Sequence, residues 1–270
     1  MYKLLCIGFM LISTIAGAQK LMKVPDILEK NSEVLPVKLK GGFGFPKYEF
    51  EPYKIISGKS GWGTSTTTGT KQPFIFRLFT KEEQETSKQK SNFTFADKSG
   101  DTAIVNVAVK TILNYSDDSK ALIRSSGAAK EFEGGTSEYI ASVKLNCDTN
   151  EWILRSYTSE SPSRTLKADL DFSGSLTQGN RKIVFREVDT FEDGTKGVFG
   201  MPLGVVFIEN GSPVAAVQYR GLVLKQQKQR FVWLLKQSDN CTRFLFATAA
   251  AALMARADQI GITLDDPANH

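Results

Sequence analysis

The only histidine among 270 residues is His270, the last residue of the chain. Nucleophilic triads and dyads need an imidazole held in place and poised near neutral pH. Histidine-ligated zinc, copper and iron need two or three such rings. A single terminal ring builds neither, so acid chemistry is what is left. Glu49-Phe-Glu51, Glu131-Phe-Glu133 and Asp169-Leu-Asp171 each place two carboxylates on one face of an extended segment, about 6–7 Å apart. Glycosidases use carboxylates at a similar separation, but facing each other across the sugar. Neighbours on one strand point the same way, and acids alternating with an apolar residue are the ordinary pattern of a half-exposed strand. Asp189–Gly194 matches three EF-hand positions, yet has Phe191 at the third and Gly200 where the bidentate glutamate belongs. Gly58-Lys59-Ser60 has Tyr53 in place of the glycine that a phosphate-binding loop requires. Ser87 and Lys90 have nucleophile-pair spacing but lie in a charged stretch, Lys81–Lys90, without the desolvation such a lysine needs. No catalytic residue, metal ligand or cofactor site is implied. A histidine-free carboxylate hydrolase is the remaining catalytic alternative.

Two features point to binding. Trp62 sits between glycines in Ser60-Gly-Trp-Gly-Thr64, beside a Ser/Thr-rich run to Thr70. An aromatic in that setting can stack on a sugar or a peptide, or it can plug the end of a barrel. Lys225, Lys228 and Arg230, spaced by glutamines, form the densest cationic segment. A polyanion or an anionic membrane surface would bind there, and a solvated hairpin tip explains the segment equally well. The net charge of +5 is otherwise spread along the chain, so no nucleic-acid partner is expected. The partner class stays unidentified.

The first residues read as an export signal. Met1-Tyr2-Lys3 precedes an apolar run from Leu4 to Ile15, and Ala16-Gly17-Ala18 follows. A positive start, a short apolar core and a small-x-small triplet are the parts of a secretory signal peptide. The run is too short for a spanning helix, which needs ~20 apolar residues. Cleavage after Ala18 and a periplasmic or extracellular destination are expected. Cys6 leaves with the signal, so Cys147 and Cys241 remain. An even pair in an oxidising compartment predicts a disulfide, the alternative being two buried thiols.

The elements that must position these residues are mostly strands. Residues 1–18 form the signal peptide, 19–46 a lead-in rich in Pro and Gly with a short helix near Asp26–Glu33, and 47–270 a single β-rich domain. Strand signals recur at Tyr53–Ile56, Phe74–Phe79, Phe93–Phe95, Ala103–Val109, Ile140–Leu145, Trp152–Tyr157, Leu166–Phe172, Lys182–Val188, Leu222–Leu224 and Phe231–Leu235. The clearest hairpin joins Gly204–Glu209 to Pro213–Tyr219 across Asn210-Gly211, since Asn-Gly accepts the positive φ angles of a type I′ turn. Strands joined by short connections, with no intervening helices, exclude a parallel α/β sheet. Thr242–Arg256 is different: it is alanine-rich, and between Phe244 and Ala255 only Thr248 is polar. A helix apolar all round must be buried on all sides, with Asp239 or Asn240 capping its start and Gly261 beyond its end. The fold class is therefore mainly β, an antiparallel barrel or closed sheet of about ten or more strands around an apolar C-terminal helix.

The hairpin Phe207–Val217, the strand Phe231–Leu235, the Asp239 lead-in and the helix Phe244–Ala255 resemble the C-terminal part of tubby-like barrels, including the LURP-one-related proteins. In those a closed antiparallel sheet wraps one apolar C-terminal helix. The resemblance implies a helix-filled barrel and, as function, binding of anionic lipid.

Overall fold

A computed structural model describes residues 20–40, 45–61, 63–69, 81–117, 130–161, 169–197, 202–220 and 230–264. Phe74–Phe79 and Leu222–Leu224 lie outside the described residues. A short helix α1 (Asp26–Asn31) precedes β1 (Ser32–Lys40), β2 (Lys47–Phe50), β3 (Tyr53–Ser60) and β4 (Thr64–Gly69). Three long strands follow, β5 (Lys81–Ala96), β6 (Thr102–Asp117) and β7 (Lys130–Leu145). Then come β8 (Trp152–Ser161), β9 (Asp169–Gln178), β10 (Arg181–Val188), β11 (Gly204–Glu209), β12 (Ser212–Gln218), β13 (Arg230–Leu235) and the helix α2 (Asn240–Leu264).

All thirteen strands form one antiparallel sheet in the order β3-β2-β1-β13-β12-β11-β10-β9-β8-β7-β6-β5-β4, and a further pairing of β3 with β5 closes it. Twelve strands make the barrel, and β4 is an extra strand carried on the upper half of β5. The alternation of Tyr139, Ala141, Val143 and Leu145 on β7, and of Ala103, Val105 and Val107 on β6, turns every second side chain inward. Asn210 at φ 50° and Gly211 at φ 79° make the sharp turn between β11 and β12, as their sequence predicts.

A barrel of twelve strands is too wide for its own side chains to fill, and α2 occupies the interior. Phe244 packs against both Tyr53 and Phe95, which also contact each other, and Phe246 meets Phe207. Every residue from Phe244 to Arg256 is buried. Thr248, the polar interruption, donates its hydroxyl to the Phe244 carbonyl at 2.8 Å, so this hydroxyl is not orphaned in the core. Asp239 caps the helix, accepting from the Thr242 backbone N–H at 2.9 Å and from its hydroxyl at 2.7 Å. Beside this cap Cys147 and Cys241 are bonded, with Cα atoms 5.8 Å apart. The disulfide ties the start of the helix to the β7–β8 turn.

The barrel also has a covered outer face. Met22, Val24 and Leu28 lie with Phe191 over Val206, Ala216, Phe231 and Trp233, so β13 is buried on both sides. Gln218 holds this cover in place. Its amide oxygen accepts from the Met22 N–H at 2.8 Å, and its amide nitrogen donates to the Lys20 carbonyl.

Three segments depart from the local sequence signals. Ser32–Lys40, inside the Pro/Gly-rich lead-in, is a barrel strand paired with β13 and β2. Pro36 is tolerated there because β1 has β13 on one side and meets β2 only from Lys38 onward. The turn-prone Ser57–Ser60 stays extended along β5, and Gly58 is where the Phe45 ring crosses: a Cβ would sit 2.6 Å from that ring. The charged Lys81–Lys90 is strand and not connector, paired residue for residue with β4 and β6. The helix also continues through Gly261 to Leu264, since one interior glycine costs only about 1 kcal/mol against alanine.

The enclosure of α2 sets two expectations. Ala250 is fully buried, so Ala250→Gln overpacks the interior and strands a polar amide, at about 1–3 kcal/mol for each effect. Thermal melts of the variant should show a large drop or insoluble expression, and an unchanged melt would place α2 outside the core. Reduction of Cys147–Cys241, 94 residues apart, should lower the melting temperature in proportion to about 4–5 kcal/mol of lost loop-closure constraint. Melts with and without reductant, with thiol titration of the native protein, check it.

Candidate functional site

The two ends of the barrel differ. One end carries the tight turns after β5, β7, β9 and β11 together with the disulfide. There Asp148 accepts from the Trp152 indole at 2.9 Å and from Gln178 at 2.7 Å, while Arg181 lies 5.1 Å over the Trp152 ring. Each of these side chains has a partner. At the other end α2 finishes and carries Arg256 and Asp258.

Tyr48 from β2 and Arg230 from β13 both point inward and meet Asp258 of α2. The Tyr48 hydroxyl donates to Asp258 Oδ2, and Arg230 grips the same carboxylate with both terminal nitrogens, one of them at 3.0 Å. The guanidinium also lies 5.2 Å over the Tyr48 ring. Burial, and then the Asp258 carboxylate, push the Tyr48 phenol far above its ordinary range despite the opposing Arg230 cation. Burial alone would weaken the Arg230 cation, but the hydrogen bonds and charges of Asp258 and Tyr48 together outweigh it, so its pKa is raised. Arg230 is thus buried and engaged in holding the helix end to the wall. Lys225, Lys228 and Trp62 lie outside the described residues; the glycines beside Trp62 run along β5, with the Gly61 N–H donating to the Lys90 carbonyl at 2.7 Å.

Tyr48 is also the floor of a cleft. β2 pairs with β3 only at Glu49↔Lys54 and Phe50↔Tyr53, after which β3 turns away to follow β5. The two strands splay and leave a cleft of about 340 Å³ lined by Lys40, Lys47, Tyr48, Glu49, Lys54, Ile55 and Ile56. The β1–β2–β3 register aligns Lys38, Glu49 and Lys54 in one row and Lys40 with Lys47 in the next. Glu49 pairs with Lys40, whose hydrogen bond, followed by the charges of Lys38 and Lys54, holds the carboxyl below its ordinary range. Among the described residues Lys38, Lys47 and Lys54 form no ion pair. The cleft therefore carries a surplus of positive charge beside the exposed Ile56 (46%).

The acids read as catalytic candidates are differently placed. Glu49 is half-buried and Glu51 exposed, they are bound to Lys40 and Lys98, and the lysine contacts lower both carboxyls. A general acid needs the opposite shift. Asp193 of the EF-hand-like string accepts from the Thr195 N–H at 2.9 Å and pairs with Lys20, and Phe191 is buried. Among the described residues no group of three potential metal ligands forms. The four lysines escaped sequence reasoning because they come from three strands, one of them inside the apparent lead-in. Only the alternation Lys38-x-Lys40 hinted at them. The chain matches no protein-family model, no curated protein and no solved structure.

The Asp258 clamp makes a measurable prediction. Asp258→Asn leaves Arg230 buried against a neutral acceptor, which should cost about 3 kcal/mol, the low end for a broken buried pair. For a domain of this size that is a fall of roughly 6–12 °C in melting temperature. Tyr48→Phe, which removes only a hydroxyl, should cost about 1 kcal/mol. Equal melts for the two variants and the parent would mean that the clamp does not hold the helix.

Proposed function

We propose that this chain is an exported, non-catalytic binding protein of a bacterial envelope, which captures an anionic ligand in the lysine-rimmed cleft between β2 and β3. The observation that carries the reading is the surplus of lysines around the one concavity described above. A cation-lined recess against a low-dielectric floor concentrates anions. Export rests on the positively charged start, the apolar run Leu4–Ile15 and the Ala16–Ala18 triplet, and the cystine suits an oxidising compartment.

A second reading makes the anion part of a membrane. Ile56 stands exposed in the cleft beside the lysines, and an apolar side chain among cations suits an anionic lipid surface. This is the function that the tubby-like resemblance of the C-terminal strands and helix implies.

One experiment separates these readings. Protein beginning at Gln19 is floated with phosphatidylcholine vesicles, with and without phosphatidylglycerol, and titrated in parallel with soluble inositol hexakisphosphate. Each lysine at an anionic surface contributes about 1 kcal/mol. The double substitution Lys47→Glu and Lys54→Glu should therefore weaken binding by at least about 2 kcal/mol, or roughly thirtyfold. Binding confined to anionic vesicles selects the membrane reading, and binding of the soluble anion selects the small-ligand reading. Failure of both, or indifference to the charge reversal, refutes the cleft as the site.

A further inference from the structure

Beyond the buried part of α2 the long strands continue and their inward face changes character. β3 accompanies β5 only from Ala96 to Ser91, and β4 takes over from Lys88 to Glu83. The wall formed by β4–β8 thus stands above the closed section of the barrel. In that wall Ser65 is opposite Ser87, Ser87 opposite Thr111, Thr111 opposite Ser137 and Ser137 opposite Thr158. Directly opposed residues share a face, so five hydroxyl side chains form one row across five strands, spanning about 19 Å at the usual strand spacing. The row lies on the inward side, in step with Phe93, Val107 and Tyr139.

Threonine favours strands, so a hydroxyl row alone would be no site. The second observation is the cation at its end. Arg256 of α2 is 7% exposed, donates to the Thr158 hydroxyl and lies 5.1 Å over the ring of Phe172, the residue opposite Thr158. Among the described residues no carboxylate pairs with it, and its Nε has no hydrogen-bond partner. Ser156, two residues before Thr158 and on the same face, is a buried hydroxyl that also lacks a partner. Glu187 and Arg220 contribute opposing charges to the surroundings of Arg256. A desolvated guanidinium without a counter-ion is costly, and its planar fork matches a carboxylate. Hydroxyls, which both donate and accept, match a polyol.

We propose that Arg256 and the row Thr158–Ser137–Thr111–Ser87–Ser65 form a second binding site, for an acidic oligosaccharide. A sugar carboxylate sits on Arg256, and the sugar hydroxyls run along the row. Glu85, which accepts from Ser65 at 2.7 Å, puts negative charge at the far end and sets the direction of the chain. The site uses none of the lysines of the β2–β3 cleft.

The test is calorimetric titration of the mature protein with oligogalacturonate and, separately, with a neutral malto-oligosaccharide. The uronate should bind and the neutral sugar should bind at least about tenfold more weakly, the scale of one charge-assisted hydrogen bond. Arg256→Lys, which keeps the charge and loses the fork, and the pair Thr111→Val with Ser137→Ala should each weaken uronate binding by a similar factor. The Lys47→Glu/Lys54→Glu variant should bind as the parent does. If Arg256→Lys does not fold, the half-buried Thr111/Ser137 pair decides. Absence of uronate binding, or equal binding of the neutral sugar, overturns the proposal. Binding lost with the lysine variant but intact in the Thr111/Ser137 pair also overturns it, and assigns the sugar to the cleft.

Discussion

The enclosure of α2 is the constraint on which the other features depend. With alanines from Ala247 through Ala255 broken only by Thr248, Leu253 and Met254, the helix has no polar side to offer water. It can be buried only by a sheet that closes completely around it. A helix with its side chains is about 10–12 Å across, and small alanines let the strands approach near that limit. Phe244 and Phe246 then fill the space toward the end where the helix begins. Each strand gains an inner partner at every second residue, which is why short strands such as β2 hold their place in the wall.

An interior helix needs its two ends secured differently. At its start the Asp239 cap and the cystine hold the helix beside the Trp152–Asp148–Gln178 network. Toward its other end the helix carries Arg256 and Asp258, whose side chains reach opposite walls. Asp258 is neutralised by Arg230 on the β13 side, whereas Arg256 meets hydroxyls and the Phe172 ring on the β8–β9 side. A buried ion pair stabilises only when its hydrogen bonds are well made. Arg230 has the Asp258 carboxylate on both terminal nitrogens, whereas among the described residues Arg256 has no carboxylate partner. Both proposed sites lie toward the end of the barrel where Arg256 and Asp258 reach the walls.

Much of the architecture was legible in the chain. The inward alternation of β6 and β7, the Asn210-Gly211 turn, the capped apolar helix and the even cysteine pair each rest on local chemistry that neighbouring residues cannot override. The misread segments share a cause. Ser57–Ser60 and Lys81–Lys90 carry glycine or charge and lack a local strand signal, yet they are extended because β5 is bracketed by β3, β4 and β6. Ser32–Lys40 lies in a stretch that reads as a lead-in because of Pro25, Pro36, Pro46 and the glycines Gly41, Gly42 and Gly44, and it becomes a strand because β13, buried on both faces, needs a neighbour.

The candidate sites were less visible, for a reason rooted in register. Periodicity tells which side of a strand a residue takes, and so it yields a core, a helix and a closed sheet. It does not tell which residues of distant strands stand opposite one another. Lys38 meets Lys54 across Glu49, and Ser65 shares a row with Thr158, only because backbone hydrogen bonds set each strand against its neighbour. A slip of one residue would turn the hydroxyl row to the outer face and scatter the lysines. The fold class follows from local pattern and burial, which are properties of single segments. The sites follow from alignment between segments, and that exists only once the barrel has closed.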